Sequence, residues 1–199
     1  PVDCDTLYAF AKEKGLRVIE DAAHAIGTRY KDKRIGSFGD IQVFSFHPCK
    51  NMTTAEGGCV TTRDPDVAKK IGHLRLHGLD RDAWNRYSKD GSQTLDVVDA
   101  GFKCNMSDLQ ASLGLHQIEK LEGFCQTRRT LAARYNALLA DVDGLTLPHA
   151  PSYDHAHAWH IYTPLLNLDQ TTLTRDAFVD RMKDFNIGLG IHYNPAHLF

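Results

Sequence analysis

The sequence predicts an α/β fold followed by a smaller α+β piece. Three observations carry this. Short β-rich apolar runs occur at 16–19, 41–46 and 57–62. Capped helical patterns lie between and after them. A long helical repeat then runs from Leu109 to Leu138, beyond which strand and helix patterns become short.

The elements follow in order. Residues 3–14 have helical spacing at Leu7, Phe10, Ala11 and Lys14, with Asp3 or Asp5 as cap and Gly15 as stop. Leu16-Arg17-Val18-Ile19, closed by Glu20-Asp21, predicts a buried strand. The polar, glycine-punctuated stretch 27–39 predicts a loop. Ile41 to Phe46 predicts a strand that Pro48 stops, since proline has no N–H for a ladder. Gly57-Gly58 is better suited to starting the next strand than to cradling a phosphate, because no dinucleotide or Walker pattern surrounds it.

Asp64-Pro65 predicts an N-cap with proline at N1, and a helix to about His77. Residues 78–104 are polar and irregular. Ser107-x-x-Gln110 is a capping box opening the long helix. Gly123 interrupts that pattern, which predicts a kink and a domain boundary between 122 and 123. Strands are expected at 160–168 and 188–193, with a helix at 174–186. The Pro1 start and the abrupt ending at Phe199 suggest a chain cut at both ends.

Composition excludes several classes. The 199 residues hold 23 Lys and Arg against 25 Asp and Glu, a net charge of −2, which removes the electrostatic case for nucleic acid or an anionic membrane. No apolar run approaches the roughly 20 residues of a membrane span. Five cysteines, Cys4, Cys49, Cys59, Cys104 and Cys125, are odd in number and widely spaced. They predict small buried side chains in a reducing compartment, the cytoplasm, and not a disulfide framework.

Two polar residues stand at the ends of neighbouring apolar strands: Asp21 after the first and Lys50 after the second. In a parallel sheet both emerge at the carboxyl edge, where open α/β sheets bind ligands. An aspartate facing a heteroaromatic nitrogen and a lysine able to form an imine are what pyridoxal phosphate needs. Ser45, just upstream, can donate to a phosphate. The plainer alternative is a carboxylate and an ammonium that are simply solvated or paired.

Several words then point to a family. Glu20-Asp21-Ala22-Ala23-His24-Ala25, Gly36-Ser37-Phe38-Gly39-Asp40, Phe44-Ser45-Phe46-His47-Pro48-x-Lys50 and Ala55-Glu56-Gly57-Gly58 stand in one order. Arg75-Leu76-His77-Gly78, Gly101-Phe102-Lys103-x-Asn105-Met106-Ser107-Asp108 and His157-Ala158-Trp159-His160 continue it. Over essentially its whole length the chain resembles the DegT/DnrJ/EryC1/StrS family of nucleotide-sugar aminotransferases. Within it, the UDP-4-amino-4-deoxy-L-arabinose aminotransferase group is the nearest likeness.

The resemblance implies a fold-type-I transferase with pyridoxal 5'-phosphate as cofactor and a mixed, mostly parallel sheet. Residues 1–122 would be the C-terminal part of the large domain and 123–199 the start of the small one. Lys50 matches the Schiff-base lysine, Asp21 the partner of the pyridine nitrogen and Ser45 a phosphate ligand. Asn105 matches an asparagine that reaches the phosphate of the neighbouring subunit, which implies a homodimer. His24 falls where many members have Gln, near the ring hydroxyl. Related dehydratases have His in place of Lys50, so the lysine favours transamination. The implied substrates are a nucleotide-linked keto sugar and an amino-acid donor, in the family usually glutamate, with a place in polysaccharide or lipopolysaccharide biosynthesis.

Rival readings are a truncated, non-catalytic paralogue that binds a full-length partner, or a histidine-based metal module. His73 and His77 have i, i+4 spacing, and His155-x-His157 with His160 forms a second set. Neither set has the acid or cysteine that would complete a metal site. Trp159 and Tyr162 could stack on a sugar or base, though core packing is the commoner fate. Arg128-Arg129 reads as a solvated helix face.

Overall fold

A computed structural model describes residues 1–80, 96–191 and 196–198. By contacts the chain forms two units, Pro1–Leu131 with Pro151–His160, and Ala132–Ala150 with Ile161–Phe199.

The first unit opens with α1 (Cys4–Glu13). Asp3 caps it, its carboxylate accepting from the Thr6 N–H at 3.2 Å and the Thr6 hydroxyl at 2.8 Å. Gly15 adopts φ +64°, and the Gly15 and Leu16 N–H groups turn back to Lys12 and Ala11 carbonyls. This two-bond closure satisfies the last helical carbonyls and needs a left-handed residue at Gly15.

The strand expected to be buried over 16–21 is not buried, Ile19 being 69% exposed, and β1 covers only Ile19–Asp21. The reason is local. Leu16 N–H is spent on α1, and Asp40 holds both the Arg17 guanidinium and the Val18 N–H. The stretch 27–39 is also more ordered than expected. Arg29–Tyr30 (β2) and Lys33–Arg34 (β3) form a hairpin, and β2 pairs on its other side with His155–Ala156 (β7) from late in the chain.

β4 (Ile41–Ser45) lies between β1 and β5 (Gly58–Thr62). It runs parallel to β1 and antiparallel to β5, so the sheet is mixed. On one face of β4, Gln42 is only 2% exposed. Its amide nitrogen donates to Glu20 and to the Phe38 carbonyl, both at 2.7 Å, and its oxygen accepts from Thr61 at 2.9 Å. A buried amide satisfied on both ends costs little and ties β1, β4 and β5 together.

α2 (Pro65–Leu74) begins as expected, with Asp64 accepting from Asp66 and Val67 N–H groups. It ends before His77, which takes φ +59°. There Gly78 and Gly101 touch backbone to backbone: a Cβ on Gly101 would sit 1.9 Å from Gly78 N. α3 (Asp108–Leu139) opens with the predicted capping box, Ser107 Oγ accepting from Gln110 N–H and Gln110 Oε1 from Ser107 N–H. It runs for 32 residues through Gly123, so the expected interruption there does not occur. Nothing lies within 4 Å of where a Gly123 Cβ would stand.

A small core forms where α3 meets the chain after β4: Met52, Leu121, Cys125 and Ala158, with Ile26 and Phe46 against it. All five cysteines are free. Cys4 and Cys125 are buried as expected, whereas Cys49, Cys59 and Cys104 are exposed.

The second unit holds the end of α3, the antiparallel pair β6 (Leu145–Thr146) and β8 (Leu165–Leu166), and α4 (Arg175–Asp184). A short 3-10 turn covers Ala196–Leu198. Tyr162 stacks on Tyr135 and donates to Asn136 at 2.7 Å, a packing role. The strand expected over 160–168 is confined to β8. Residues 188–191 form no strand, and 192–195 lie outside the described residues.

Candidate active site

Parallel pairing decides the geometry. Asp21, the last residue of β1, stands opposite Val43 of β4, and the chain leaves β4 after Ser45 in the same direction. The Asp21 carboxylate and the 46–50 turn therefore emerge at the carboxyl edge of adjacent strands.

Each predicted residue has usable chemistry at that edge. Asp21 Oδ1 accepts from the Ala23 N–H at 3.0 Å, which orients the carboxylate and leaves the other oxygen for a ligand. Ser45 Oγ accepts from the His47 N–H at 3.3 Å, and its own O–H remains available to donate. Lys50 is half-buried, and among the described residues its ammonium makes no hydrogen bond or ion pair. His24 is exposed, with its ring centroid 4.2 Å from that of His160. Asn105 is half-buried, and its Oδ1 is a buried polar atom without a partner, while Nδ2 reaches only the Met106 carbonyl at 3.5 Å. An orphaned amide of this kind is expected where a ligand completes the site.

The turn bearing Lys50 is fastened on both sides. The Lys50 N–H bonds the His47 carbonyl at 2.9 Å, and Thr54 N–H and Thr53 Oγ1 both reach the Phe46 carbonyl at 3.0 Å. Asn51 is 5% exposed and Met52 3%, so the two residues after the lysine anchor it in the core. Asn51 Nδ2 donates to the Ala158 carbonyl at 2.7 Å, and Asn51 Oδ1 faces His160 Nδ1 at 3.3 Å.

Sequence reasoning missed two members of this arrangement. Asn51 carried no motif signal beyond its place beside Lys50. Arg128, read as a solvated residue, is half-buried and donates to the Trp159 and His160 carbonyls, both at 3.1 Å. Trp159 has φ +46°, a left-handed conformation that a bulky residue adopts only when its surroundings compel it. Its ring lies 4.5 Å from that of His157.

The metal reading loses its geometry. His77 falls beyond the end of α2, so it does not share a helix face with His73, which pairs with Asp80 at 3.4 Å. His157 Nδ1 accepts from the Trp159 N–H at 2.9 Å. Burial holds its imidazole neutral, down to about 4. Among the described residues no group of three or more His, Cys, Asp or Glu is placed to hold a metal ion, and no helix is long and apolar enough to cross a membrane.

Comparison with known families is decisive: the model of the DegT/DnrJ/EryC1/StrS aminotransferase family matches residues 1–199. The chain belongs to this family. Two curated relatives agree. MJ1066, an uncharacterized protein of Methanocaldococcus jannaschii, is 44% identical over 198 residues, covering 100% of this chain and 51% of that protein. SpsC of Bacillus subtilis, a spore coat polysaccharide biosynthesis protein, is 44% identical over 197 residues, covering 98% and 50%. The chain thus spans about half the length of the curated relatives it matches.

Solved aminotransferase structures share the fold. PseC of Helicobacter pylori, described as an aminotransferase involved in the biosynthesis of pseudoaminic acid, superposes with a TM-score of 0.86 at 28% identity, over 100% of this chain and 51% of its own. Spr1654 of Streptococcus pneumoniae, solved in a PLP form, gives 0.84 at 28% identity, over 100% and 53%. The chain thus has the fold-type-I transferase fold that the resemblance implied.

Proposed function

We propose that the protein carrying this chain is a pyridoxal-phosphate-dependent aminotransferase that moves an amino group from an amino acid to a nucleotide-linked keto sugar. The observation that carries this is the parallel β1/β4 register, which brings Asp21 and the anchored Lys50 turn to one sheet edge. The descriptions of SpsC and PseC, both in sugar-polymer or sugar-acid biosynthesis, support the substrate class. Glutamate, the usual donor of the family, is the proposed amine source.

When bound, pyridoxal phosphate supplies a carbonyl that takes up amines and a ring that accommodates the charge left as a proton departs. The rest falls to this chain. Lys50 Nζ would hold the cofactor covalently and, once displaced, carry a proton to and from the reacting carbon. Asp21 would keep the ring nitrogen protonated through a charge-assisted hydrogen bond. Ser45 would donate to the phosphate, and His24 would stand beside the ring hydroxyl.

Asn105 would donate to the phosphate held by a second subunit. Rotation of its amide puts Nδ2 where the unpartnered oxygen now stands, since the two ends are nearly equal in shape. Exposed apolar side chains that flank it in sequence, Phe102, Leu109 and Leu113, suit burial against a second copy in a cytoplasmic homodimer.

The test is borohydride reduction of the full-length protein with pyridoxal phosphate, followed by digestion and mass spectrometry. The pyridoxyl group is expected on Lys50. Its appearance on another lysine would overturn the assignment.

A further inference from the structure

Outside the residues assigned above, one side chain bridges two parts of the site that are far apart in sequence. Asn51 follows Lys50 directly, and its amide has no freedom to turn. Nδ2 donates to the Ala158 carbonyl at 2.7 Å, an oxygen that can only accept. Oδ1 therefore points to His160 Nδ1, 3.3 Å away, and a hydrogen bond between them requires the proton on that nitrogen. The His160 ring in turn lies against His24, with centroids 4.2 Å apart and planes tilted by 53°. The backbone on this side is held equally firmly. Arg128 grips the carbonyls of Trp159 and His160, across a left-handed residue. Strain held in place by so many polar contacts points to a demand for position.

We propose that Asn51 is a positioning residue: through one buried amide it ties the Lys50 turn to the His160 ring, fixing the tautomer and tilt at which that ring meets His24. The consequence for cofactor binding rests on the site proposed above; the tautomer does not. Asn51 acts on both sides of the site at once. Moving its amide would shift the lysine turn and release the imidazole pair of His24 and His160.

The test uses the full-length protein. With selective nitrogen-15 histidine labelling, the His160 signal is identified by its loss in His160→Gln. Nδ1 is expected to be protonated in the wild type and to lose that preference in Asn51→Leu. An unprotonated Nδ1 in the wild type would overturn the proposal. Titration of apo-protein with pyridoxal phosphate is the second readout. Asn51→Leu and His160→Gln should each weaken binding about tenfold. In the His160→Gln background, Asn51→Leu should add less than about threefold, the signature of two groups acting as one. An undiminished effect in that background would show that Asn51 acts only as local packing, and would also overturn it. Should Asn51→Leu fail to fold, His160→Gln alone decides: unchanged binding refutes the role. Failure of the aminotransferase reading would instead appear as borohydride labelling away from Lys50, whatever the tautomer of His160.

Discussion

Asp21 stands opposite Val43 in a parallel strand pair, so the carboxylate ending β1 and the lysine turn after β4 share one sheet edge. Its Oδ1 is already occupied by the Ala23 N–H, and an amide oxygen can take over that contact. Asp21→Asn is therefore expected to fold and to retain pyridoxal phosphate. It should lose most turnover, because a neutral amide does not hold the ring nitrogen protonated. Steady-state kinetics check this. A rate within about tenfold of wild type, roughly 1.4 kcal/mol in barrier, contradicts the role.

Asn105 allows function to be separated from stability. Its buried Oδ1 has no partner, so the folded chain gains little from the amide. Asn105→Leu should change the denaturation midpoint hardly at all while weakening pyridoxal phosphate binding about tenfold, about 1.4 kcal/mol. A large stability loss with unchanged cofactor affinity would assign Asn105 to the scaffold.

Two glycines should respond in opposite directions. At Gly78, φ is +67° and a Cβ would lie 1.8 Å from the Asp99 carbonyl oxygen. Gly78→Ala is expected to destabilise by about 2 kcal/mol or more, since backbone must move. At Gly123, inside α3, a Cβ meets nothing within 4 Å. Gly123→Ala should stabilise by about 0.5–1 kcal/mol through helix propensity alone. Urea denaturation of both variants measures the contrast, and destabilisation by Gly123→Ala would show that the glycine serves a bend after all.

His157 predicts a pH dependence. Burial is the first cause holding it near 4, below the usual 6.5, and its Nδ1 must stay unprotonated to accept from Trp159. A depressed folded value means that the unfolded chain binds the proton more readily. The contribution is thus complete above about pH 6.5 and is lost as pH falls from there through about 4. After allowance for screening at this partly exposed group, the loss is about 1–3 kcal/mol. Denaturation at about pH 7 and about pH 5 should show wild type losing more stability than His157→Gln. Parallel losses in the two proteins would refute it.

Much of the fold was legible because its signals are local. The Asp3, Asp64 and Ser107 caps each work within one helical turn; the last two form as read, and Asp3 is the one of the two candidates, Asp3 and Asp5, that caps the first helix. β4 and β5 are each five residues long, enough for composition to register them. The hairpin of β2 and β3 was not legible, because strands of two residues depend on a partner, β7, about 125 residues away in sequence. Gly123 misled for a related reason: a glycine weakens a helix by less than the packing of Leu121 and Cys125 on either side of it stabilises this one.

The sequence by itself determined the chemical types at the site: an aspartate and a lysine at strand ends, a serine before the turn, an asparagine before the long helix, in the order of one family. Those choices are written one residue at a time. Tertiary structure alone decided that Asn51 would bridge to Ala158 and His160, and that Arg128 would turn inward to grip the backbone of a strained tryptophan. Such contacts join positions 31 to 109 residues apart, and a hydrogen bond depends on distance and angle in space. No local pattern encodes that proximity, and it exists only once β1, β4 and α3 have packed.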